Sequence, residues 1–461
     1  MAAEQSTRAP DGQDGLPEPR RRWAALTVMV GISLSVLDAS MANVALPALA
    51  RELGSSPSSV VWIVNAYGLT VVMTLLPFSS IGERIGFKKL FRLGLLVFIV
   101  GSVCSALAPS LQWLLISRVF QGLGSSAVMC LFGGLVRHIY PLSSMSRGIG
   151  LNAMTVGVMS VLGPTIGSFI LSVSSWHWIF AFNVPIGILA YWGTKHLPDV
   201  PRVESRFDHL AAVLSMFTVG TLIVGIDYVS TFPLQAIGIV ALGAVTGIVL
   251  VRRSSQQTAP LVPVDLFRIP AMRFALGASA STFAAQMATF ISLPFYLQQT
   301  LDKSQSAVGF LMASWPAGAA LIALIAGRLS NRYPVAILSG LGAGAMATGV
   351  ALIVVLPAAA SDYWLMLAMM LAGVGFGFFQ TPNNRVLIGS APRNRAGAVG
   401  GLQATTRVFG QTFGGAVVAS LFALGFDAGP TLGLIAAILF ALVAVAVNVI
   451  RHRQASSSQE G

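Results

Sequence analysis

Two ionisable side chains lie in apolar segments where charge is rare. Asp38 interrupts the stretch from Ala24 to Leu46, which contains no other charged residue. This stretch can cross a bilayer, whose hydrocarbon core of about 30 Å needs roughly 20 helical residues. A charge at such depth is costly, so intramembrane carboxylates usually face a polar cavity and serve transport or proton transfer. Asp38 is therefore a candidate proton carrier. The alternative is a structural acid that is neutral or paired within a helix bundle.

Arg118 is the predicted partner of Asp38. Arg118 follows Leu111, the start of its apolar segment, by seven residues, and Asp38 precedes Leu46 by eight. At about 1.5 Å per residue, both side chains lie ~11–12 Å below the same membrane face. A nearby guanidinium favours the ionised carboxylate and burial favours the neutral acid, so moving Arg118 away would let Asp38 take up a proton. A static ion pair that fixes helix packing is the alternative.

The composition places these two residues in a membrane protein. Of 461 residues, 55% are hydrophobic and 10% are charged, and the mean hydropathy is +0.78. Soluble domains carry about 25% charged residues, so a water-soluble globular class is excluded. The two cysteines, Cys104 and Cys130, provide neither a disulfide framework nor metal-ligand spacing.

Hydropathy predicts an all-α membrane protein with fourteen spanning helices. They cover approximately residues 24–46, 60–80, 90–108, 111–136, 149–172, 178–194, 209–228, 233–251, 274–298, 306–327, 335–357, 363–383, 396–424 and 431–450. The first 22 residues are polar and rich in proline and arginine, which predicts a disordered tail. Nothing resembling a signal cleavage site follows the first apolar segment, so that segment is predicted to remain as a membrane anchor.

The basic residues predict the orientation of the chain. With the N-terminus in the cytoplasm, 24 of the 28 Lys and Arg residues lie on the cytoplasmic side. The outer loops hold only Arg51 and Lys303, while Arg118 and Arg407 lie within spans. This asymmetry follows the positive-inside rule and predicts that both termini are cytoplasmic. The net charge of +12 then indicates contact with anionic membrane lipid and does not require a nucleic-acid partner.

A weak internal repeat divides the chain. Short polar or acidic residues precede an arginine both at 79–89, after span 2, and at 327–333, after span 10. This spacing predicts two equivalent six-helix bundles with two helices inserted between them, the arrangement of rocking secondary transporters that bind substrate between the bundles. The predicted divisions are a cytoplasmic tail (1–22), an N-terminal bundle (23–195), loops with two inserted helices (196–272), a C-terminal bundle (273–450) and a second cytoplasmic tail (451–461).

Three motifs resemble the major facilitator superfamily, specifically its fourteen-helix drug:proton antiporter branch. Residues 37–47, LDASMANVALP, are similar to the branch signature LDxTxxNVALP. Residues 118–122, RVFQG, are similar to the RxxQG pattern. Residues 176–187, WHWIFAFNVPIG, are similar to WRWIFxINVPIG, with His177 where the family usually has arginine. The resemblance covers nearly the whole chain and implies a proton-coupled exporter whose first and fourth helices line the substrate cavity.

The resemblance also assigns a role to the loop after span 2. This loop matches the superfamily motif GxLaDRxGRKxx at Arg84, Gly86 and Lys88, with Glu83 in place of aspartate. The resemblance implies that these four residues form a conformational switch at the cytoplasmic helix ends. The alternative is that the loop only sets the topology, to which acidic residues contribute little.

Span 5 matches part of the family's antiporter motif, GxxxxxxxxGxxxGPxxGG. The matching residues are Gly150, Gly163, Pro164 and Gly167, while other residues replace two of the motif's glycines. Glycine and proline loosen or kink a membrane helix where a neighbour or a cavity satisfies the freed backbone groups. We expect this kink to help seal the state that is closed to the cytoplasm.

The remaining motifs indicate the energy source. The sequence contains no GxxxxGK[ST] motif, so ATP is not a predicted partner. Its five histidines form no HExxH pattern, and no metal site is predicted. An ion gradient remains as the driver, and an intramembrane carboxylate is suited to carry a proton. No cofactor is therefore expected.

Polar side chains within the spans are the candidates for contact with a substrate. They are Asn43, Asn65, Tyr67, Gln121, Asn152, Gln286, Gln380 and Arg407. Hydrogen bonding between helices is the alternative role for each of the neutral ones. Arg407 lies in a segment similar to the branch's TxRxxG, and it is expected either to pair with a carbonyl or to repel a cationic substrate.

Together these features predict a transporter of the bacterial inner membrane and not an enzyme. The expected function is proton-coupled export of amphipathic, often cationic or aromatic, compounds. Its expected partners are the small-molecule substrate and membrane lipid, and a periplasmic adaptor is left open. One alternative is a proton-linked exporter of a single metabolite or natural product. The other is a membrane sensor that does not transport.

Overall fold

The computed structural model describes residues 15–141, 144–200, 207–229, 232–257, 262–330, 332–357, 361–390, 396–424 and 428–460. The α-helices are α1 (Arg20–Glu52), α2 (Pro57–Ile85), α3 (Phe87–Ala106), α4 (Leu111–Met129), α5 (Phe132–Ile139), α6 (Met145–Val173), α7 (His177–Ala181), α8 (Asn183–Gly193), α9 (His209–Tyr228), α10 (Pro233–Ser255), α11 (Pro270–Phe295), α12 (Gln305–Leu329), α13 (Val335–Val355), α14 (Asp362–Gly389), α15 (Ala396–Ala423) and α16 (Gly429–Glu460). Within these ranges no β-strand occurs.

All fourteen predicted spans coincide with helices. Span 4 continues from α4 into α5, and span 6 is divided between α7 and α8. In the described chain, twelve helical segments have the length and hydropathy of a membrane span. Spans 6 and 13 do not meet these criteria of length and hydropathy. Span 6 breaks at Phe182, and α15 carries Gln403, Arg407 and Gln411 among its glycines.

The two predicted tails are partly helical. Helix α1 begins at Arg20, so a disordered tail over 1–22 is wrong for its last three residues. Arg20 is held at this end of the helix, where its Nε donates a hydrogen bond to the carbonyl oxygen of His196 at 3.1 Å. At the other end, α16 continues to Glu460 through the predicted tail 451–461, since no glycine or proline interrupts it there.

Helix packing divides the chain into two equivalent bundles. In the first, α1 packs on α6 and α8, α4 packs on α2 and α3, and α3 packs on α8. In the second, α11 packs on α15 and α16, α14 packs on α12 and α13, and α13 packs on α16. These are the same pairs when spans 1–6 are matched in order with spans 9–14. The predicted fold, two six-helix bundles with α9 and α10 inserted between them, is confirmed.

The inserted helix α9 contacts one helix from each bundle, α2 and α15, as well as α10. Trp62 Nε1 of α2 donates to Asp227 Oδ2 at 3.1 Å. Ser420 Oγ of α15 donates to the carbonyl oxygen of Ile226 at 2.7 Å. Helix α9 therefore bridges the two bundles along the α2–α15 seam.

An acidic cap fixes the start of α9 to α10. Asp208 accepts the backbone N–H of Ala211 at 2.9 Å and pairs with Arg253 at 3.1 Å. Partial desolvation raises the pKa of Asp208, but the hydrogen bonds from Ala211, Gln257 and Arg253 outweigh it and lower the pKa to about 2. The cap therefore stays ionised throughout the physiological range.

The two bundles are joined at one end of the molecule. We call the end that carries Arg84 and Lys88 the basic face and the other end the opposite face. Near the opposite face, one apolar core contains residues of both bundles. There Arg51 Nη1 donates to Gln298 Oε1 at 2.9 Å. Toward the basic face the core divides into one cluster mainly from the first bundle and a smaller one from the second.

Glycine contacts follow the same division. A methyl group on Gly309 of α12, near the opposite face, would overlap Ser168 of α6. A methyl group on Gly157 of α6, nearer the basic face, would meet nothing within 4 Å. Among the described residues, the bundles thus share one core near the opposite face, while toward the basic face their cores are largely separate and the bundles meet where α15 packs on α2 and α5. We call the space between the two separate cores the cleft.

Within the second bundle, glycines let α12 and α14 pack backbone to backbone. A methyl group on Gly373 would overlap the carbonyl oxygen of Trp315, and one on Gly318 would overlap that of Met370. We expect Gly373→Ala to destabilise the protein by about 1–3 kcal/mol, as overpacking does, and to lower its thermal unfolding midpoint. Gly277→Ala is the matched control, because a methyl group there meets nothing within 4 Å and alanine is the better helix former. Equal unfolding midpoints for the two variants would contradict this packing.

Candidate functional site

Three helices of the first bundle bring charged and amide side chains together at a buried site. Helix α1 contributes Asp38, α4 contributes Arg118 and Gln121, and α8 contributes Asn183. All four residues have no exposed surface. Arg118 and Gln121 lie three residues apart, so they share one face of α4. Asn183 reaches the site because it is the first residue of α8, directly after the break at Phe182.

The structure contains the ion pair that the matching depths predicted. Arg118 Nη1 donates to Asp38 Oδ2 at 2.5 Å. Arg118 Nε donates to the carbonyl oxygen of Ile63 in α2 at 3.0 Å. The guanidinium carbon lies 4.4 Å from the centroid of the Tyr67 ring, within cation–π distance. Arg118 therefore connects α1, α2 and α4, and its role in proton coupling stays a prediction.

The second oxygen of Asp38 is held by two amides. Asp38 Oδ1 accepts from Asn183 Nδ2 at 2.8 Å and from Gln121 Nε2 at 3.3 Å. Gln121 Oε1 accepts from Arg118 Nη1 at 2.7 Å, so Gln121 contacts both members of the pair. Because every one of these neighbours donates to Asp38, the site fits an ionised carboxylate. A protonated Asp38 would need an acceptor, so proton uptake requires the site to rearrange.

Asn183 was not among the predicted site residues. Its signal was present in the sequence, since it is the one amide in the run WHWIFAFNVPIG. Its side-chain oxygen Oδ1 has no hydrogen-bond partner among the described residues. Rotating the amide by half a turn would present this oxygen to Asp38 as an acceptor. Asn183 is thus able to serve either protonation state of the carboxyl group.

Two predicted cavity residues belong to this buried site and not to an open surface. Gln121 has no exposed surface and Tyr67 has only 7%. The Tyr67 hydroxyl donates to Ser125 Oγ at 2.6 Å, and Ser125 Oγ donates to Ser35 Oγ at 2.7 Å. These bonds tie α2, α4 and α1 together on the side of Arg118. In this conformation both residues support the ion pair and do not line the cleft.

Two other predicted cavity residues lie in the closed region near the opposite face. Asn43 and Asn65 are buried. Both side-chain atoms of Asn65 lack a hydrogen-bond partner within the described chain, as does the Asn43 oxygen. A methyl group on Gly415 of α15 would overlap Asn65, so Asn65 lies at the α2–α15 seam. Neither asparagine lines the cleft in this conformation.

Three of the remaining polar candidates are less buried than these four. Gln286, Gln380 and Arg407 are partly exposed. Gln286 Oε1 of α11 accepts from Gln411 Nε2 of α15 at 3.4 Å. The side chain of Asn152 lies outside the described part of the structure. Cleft lining stays a prediction for Gln286, Gln380 and Arg407, whose side chains are partly exposed.

The antiporter motif lies between the two bundles. The Cα of Met41 lies 3.1 Å from the position of a methyl group on Gly167, and Gly163 packs on the side chain of Ser40. The carbonyl oxygen of Pro164 lies 3.0 Å from a methyl group placed on Gly309 of α12. Helix α6 therefore contacts α1 and α12 through this motif. Gly150 lies near the start of α6, and its surroundings are outside the described residues.

The predicted switch lies where α2 meets α3. Gly86 joins the helices with φ of +99°, a conformation that favours glycine. The guanidinium of Arg84 lies 5.2 Å from the centroid of the Phe207 ring, and Lys88 Nζ pairs with Asp199 at 3.2 Å. These contacts attach the turn to the segment that leads to the inserted helices. All four predicted residues, Glu83, Arg84, Gly86 and Lys88, lie at this turn, and Glu83 is exposed.

Comparison with known proteins identifies a family and several related membrane proteins. The sequence matches the family model of the Major Facilitator Superfamily over residues 28–415 and over residues 274–459. An uncharacterized transporter of Escherichia coli K12, YebQ, is 41% identical over 96% of this chain and 98% of its own length. The riboflavin transporter RibZ of Clostridioides difficile is 30% identical over 88% and 89%. The multidrug resistance protein Stp of Mycobacterium tuberculosis is 27% identical over 87% and 75%.

Solved structures agree at the level of the fold. A bacterial homolog of the human lysosomal transporter Spinster superposes with a TM-score of 0.70 at 15% identity, over 95% of this chain and 98% of that one. A transporter of the POT family superposes with a TM-score of 0.71 at 16% identity, over 94% and 96%.

Proposed function

This chain belongs to the major facilitator superfamily and is a multi-pass membrane transporter, not an enzyme, and from this premise we propose that it is a proton-coupled exporter. We place it in the bacterial inner membrane and assign it amphipathic drug-like or toxic compounds as substrates. The observation that carries the proposal is Asp38, a fully buried carboxylate paired with Arg118. It is the one acidic residue in the interior of the fourteen predicted spans.

The proposed coupling step begins with proton uptake by Asp38. In the ionised state, Arg118, Asn183 and Gln121 all donate to the carboxylate. A proton neutralises Asp38, weakens its attraction for Arg118 and requires one of the donors to turn away. We propose that α1 and α4 then shift relative to each other.

The packing of α1 supports a path from this site to the seam between the bundles. Ser40 and Met41 follow Asp38 in α1 by two and three residues, and they pack on Gly163 and Gly167 of α6. Helix α6 in turn packs on α12 of the second bundle. A shift of α1 would therefore change the α6–α12 seam, which must open for the opposite face to separate. Such rigid-body rocking is typical of secondary transporters.

The orientation predicted by the basic residues supports export. With the basic face in the cytoplasm, the shared core closes the outer side and the cleft between the divided cores lies on the cytoplasmic side, where we propose that a cytoplasmic substrate enters. Both termini would be cytoplasmic, and the basic face would contact anionic lipid. The proton gradient would supply the energy without ATP or a cofactor, and a periplasmic adaptor is not required by this step.

The names of the relatives favour small-molecule transport but differ in breadth. One relative is named as a multidrug resistance protein, which agrees with broad export. Another is named as a riboflavin transporter, which keeps transport of a single metabolite as the second candidate. A sensor that does not transport has no such support.

Transport by the purified protein in proteoliposomes tests the proposal. We expect an imposed pH gradient to drive accumulation of fluorescent amphipaths, and a protonophore to abolish it. Adding substrate without a gradient should move protons in the opposite direction, measured with a trapped pH dye. Substrate and protons moving in the same direction, or accumulation that ignores the gradient, would contradict antiport. A panel containing dansylglycine, dansylcholine, ethidium and riboflavin separates broad export from transport of one compound.

A further inference from the structure

A third charged side chain, besides Asp38 and Arg118, lies deep in the predicted spans and has no described contact with the proton site. Arg407 follows Ala396, the first residue of α15, by eleven residues. At about 1.5 Å per residue it lies ~16 Å along the helix. Charged residues at such depth are costly and usually face a water-filled cavity or a binding site.

The contacts of α15 show where Arg407 points. Gly410 packs against the backbone of Ala280 in α11. Val408 belongs to the apolar cluster of the first bundle, which includes residues of α2. Successive helical residues are about 100° apart, so Arg407 lies about 100° from Val408 on one side and about 60° from Gly410 on the other. Arg407 therefore projects into the angle between α2 and α11, which is the cleft and not the lipid.

The positive charge of Arg407 is not neutralised within the described chain. No described residue forms an ion pair or a hydrogen bond with its side chain, and the residue is partly exposed. Asp38, the acid within the spans, is fully buried and bonded to Arg118. Arg407 thus gives the cleft a fixed positive charge, and pairing with a carbonyl, one of its two expected roles, is not observed.

Neutral amides extend the polar surface around this charge. Gln403 and Gln411 lie four residues before and after Arg407, so the three side chains share one face of α15. Gln286 of α11 is bonded to Gln411 at 3.4 Å and belongs to the same surface. A guanidinium with flanking amides offers several N–H donors, which suit the oxygen atoms of a carboxylate, sulfonate or phosphate.

We propose that the cleft binds amphipathic organic anions and that Arg407 is the counter-charge for their acidic group. This inference deepens the proposed export function and rests on it for the direction of transport, but not for the binding itself. It also revises the expectation of cationic substrates, because a cation in the cleft would meet the charge of Arg407 with no free carboxylate described nearby. Apolar contact would hold the remainder of the ligand, as is usual in small-molecule sites.

Binding of a matched pair of probes to the purified protein in nanodiscs tests the proposal. Dansylglycine carries a carboxylate and dansylcholine a quaternary ammonium on the same fluorophore. We expect the wild-type protein to bind dansylglycine more tightly. Arg407→Gln should weaken dansylglycine binding by at least about tenfold, the scale of one charge-assisted hydrogen bond, and leave dansylcholine binding unchanged or stronger. Arg407→Lys should retain most of the dansylglycine affinity. Arg453→Gln is the control, since it removes an exposed arginine from the last two turns of α16, beyond the predicted span 431–450.

The outcomes separate this inference from the proposed function. Equal loss of both probes in Arg407→Gln, or no loss of dansylglycine, would overturn the anion site. If that variant does not fold, displacement of bound dansylglycine from the wild-type protein tests the anion site instead. Naphthalenesulfonate should displace dansylglycine and a naphthyl trimethylammonium should not, and equal displacement by both would overturn the proposal. Anion-selective binding without proton-driven transport would refute the exporter and leave the anion site standing. Proton-driven transport that is unchanged in Arg407→Gln would support the exporter and refute the anion site.

Discussion

Asp38→Asn is expected to abolish proton-driven efflux in proteoliposomes and reduce it to the level of empty vesicles. Asparagine keeps nearly the shape of the side chain and one acceptor oxygen for Asn183, but it cannot carry a proton. The change leaves the charge of Arg118 without its partner, and breaking a buried pair in this way costs about 3–5 kcal/mol. We therefore expect a lower unfolding temperature in a protein that still inserts and folds. Substrate exchange without a gradient should persist.

Glu52→Gln is the matched control for this variant. Glu52 ends the same helix and is exposed, so its neutralisation should leave efflux at the wild-type level. Full uphill efflux by Asp38→Asn would exclude Asp38 as the proton carrier. Loss of efflux and exchange together, in a protein that no longer folds, would favour a purely structural ion pair.

Arg118→Ala is expected to uncouple transport from pH more severely than Arg118→Lys. Arg118 contacts Asp38, Gln121, the carbonyl of Ile63 and the ring of Tyr67. Lysine keeps the charge but not the fork that reaches several of these groups at once. With alanine, Asp38 loses its countercharge and burial favours the protonated acid. The pH profile of substrate exchange should flatten in Arg118→Ala and shift in Arg118→Lys.

The size of this effect follows from the hydrogen bonds that are lost. Bonds to charged groups contribute about 1.5–3 kcal/mol each, so gradient-driven transport by Arg118→Ala should fall by at least about tenfold. A normal pH profile in this variant would leave Arg118 with a packing role only. Restored transport in the double variant Asp38→Asn/Arg118→Ala would indicate that the two residues form a static pair.

Hydropathy predicted the positions of the helices along this sequence, and residue spacing predicted one contact between them. The fourteen apolar segments all coincide with helices. Asp38 and Arg118 could be paired because distance along a straight helix is proportional to residue number. The repeat after spans 2 and 10 predicted two equivalent bundles, and the packing pairs agree with it.

Rotation about the helix axis was harder to predict than depth. Tyr67 and Gln121 were assigned to the cavity, but they face the buried pair. A segment that is apolar on all sides gives no period from which to infer which face is inward. Asn183 shows the same difficulty, because its contact with Asp38 depends on the break at Phe182 and on the direction that α8 takes after it. Such positions are set by tertiary packing.

The position of α9 has a consequence for entry from the lipid phase. Helix α9 covers the α2–α15 seam from the outside and is hydrogen-bonded to both helices. The α6–α12 seam has no comparable cover among the described residues. For an amphipath dissolved in the bilayer, α9 therefore covers the α2–α15 seam, while the α6–α12 seam, in the part of the chain that the structure describes, is in direct contact with lipid. The two bundles are equivalent, but within these described ranges the inserted helices leave only the α6–α12 seam accessible to a molecule that enters from the lipid.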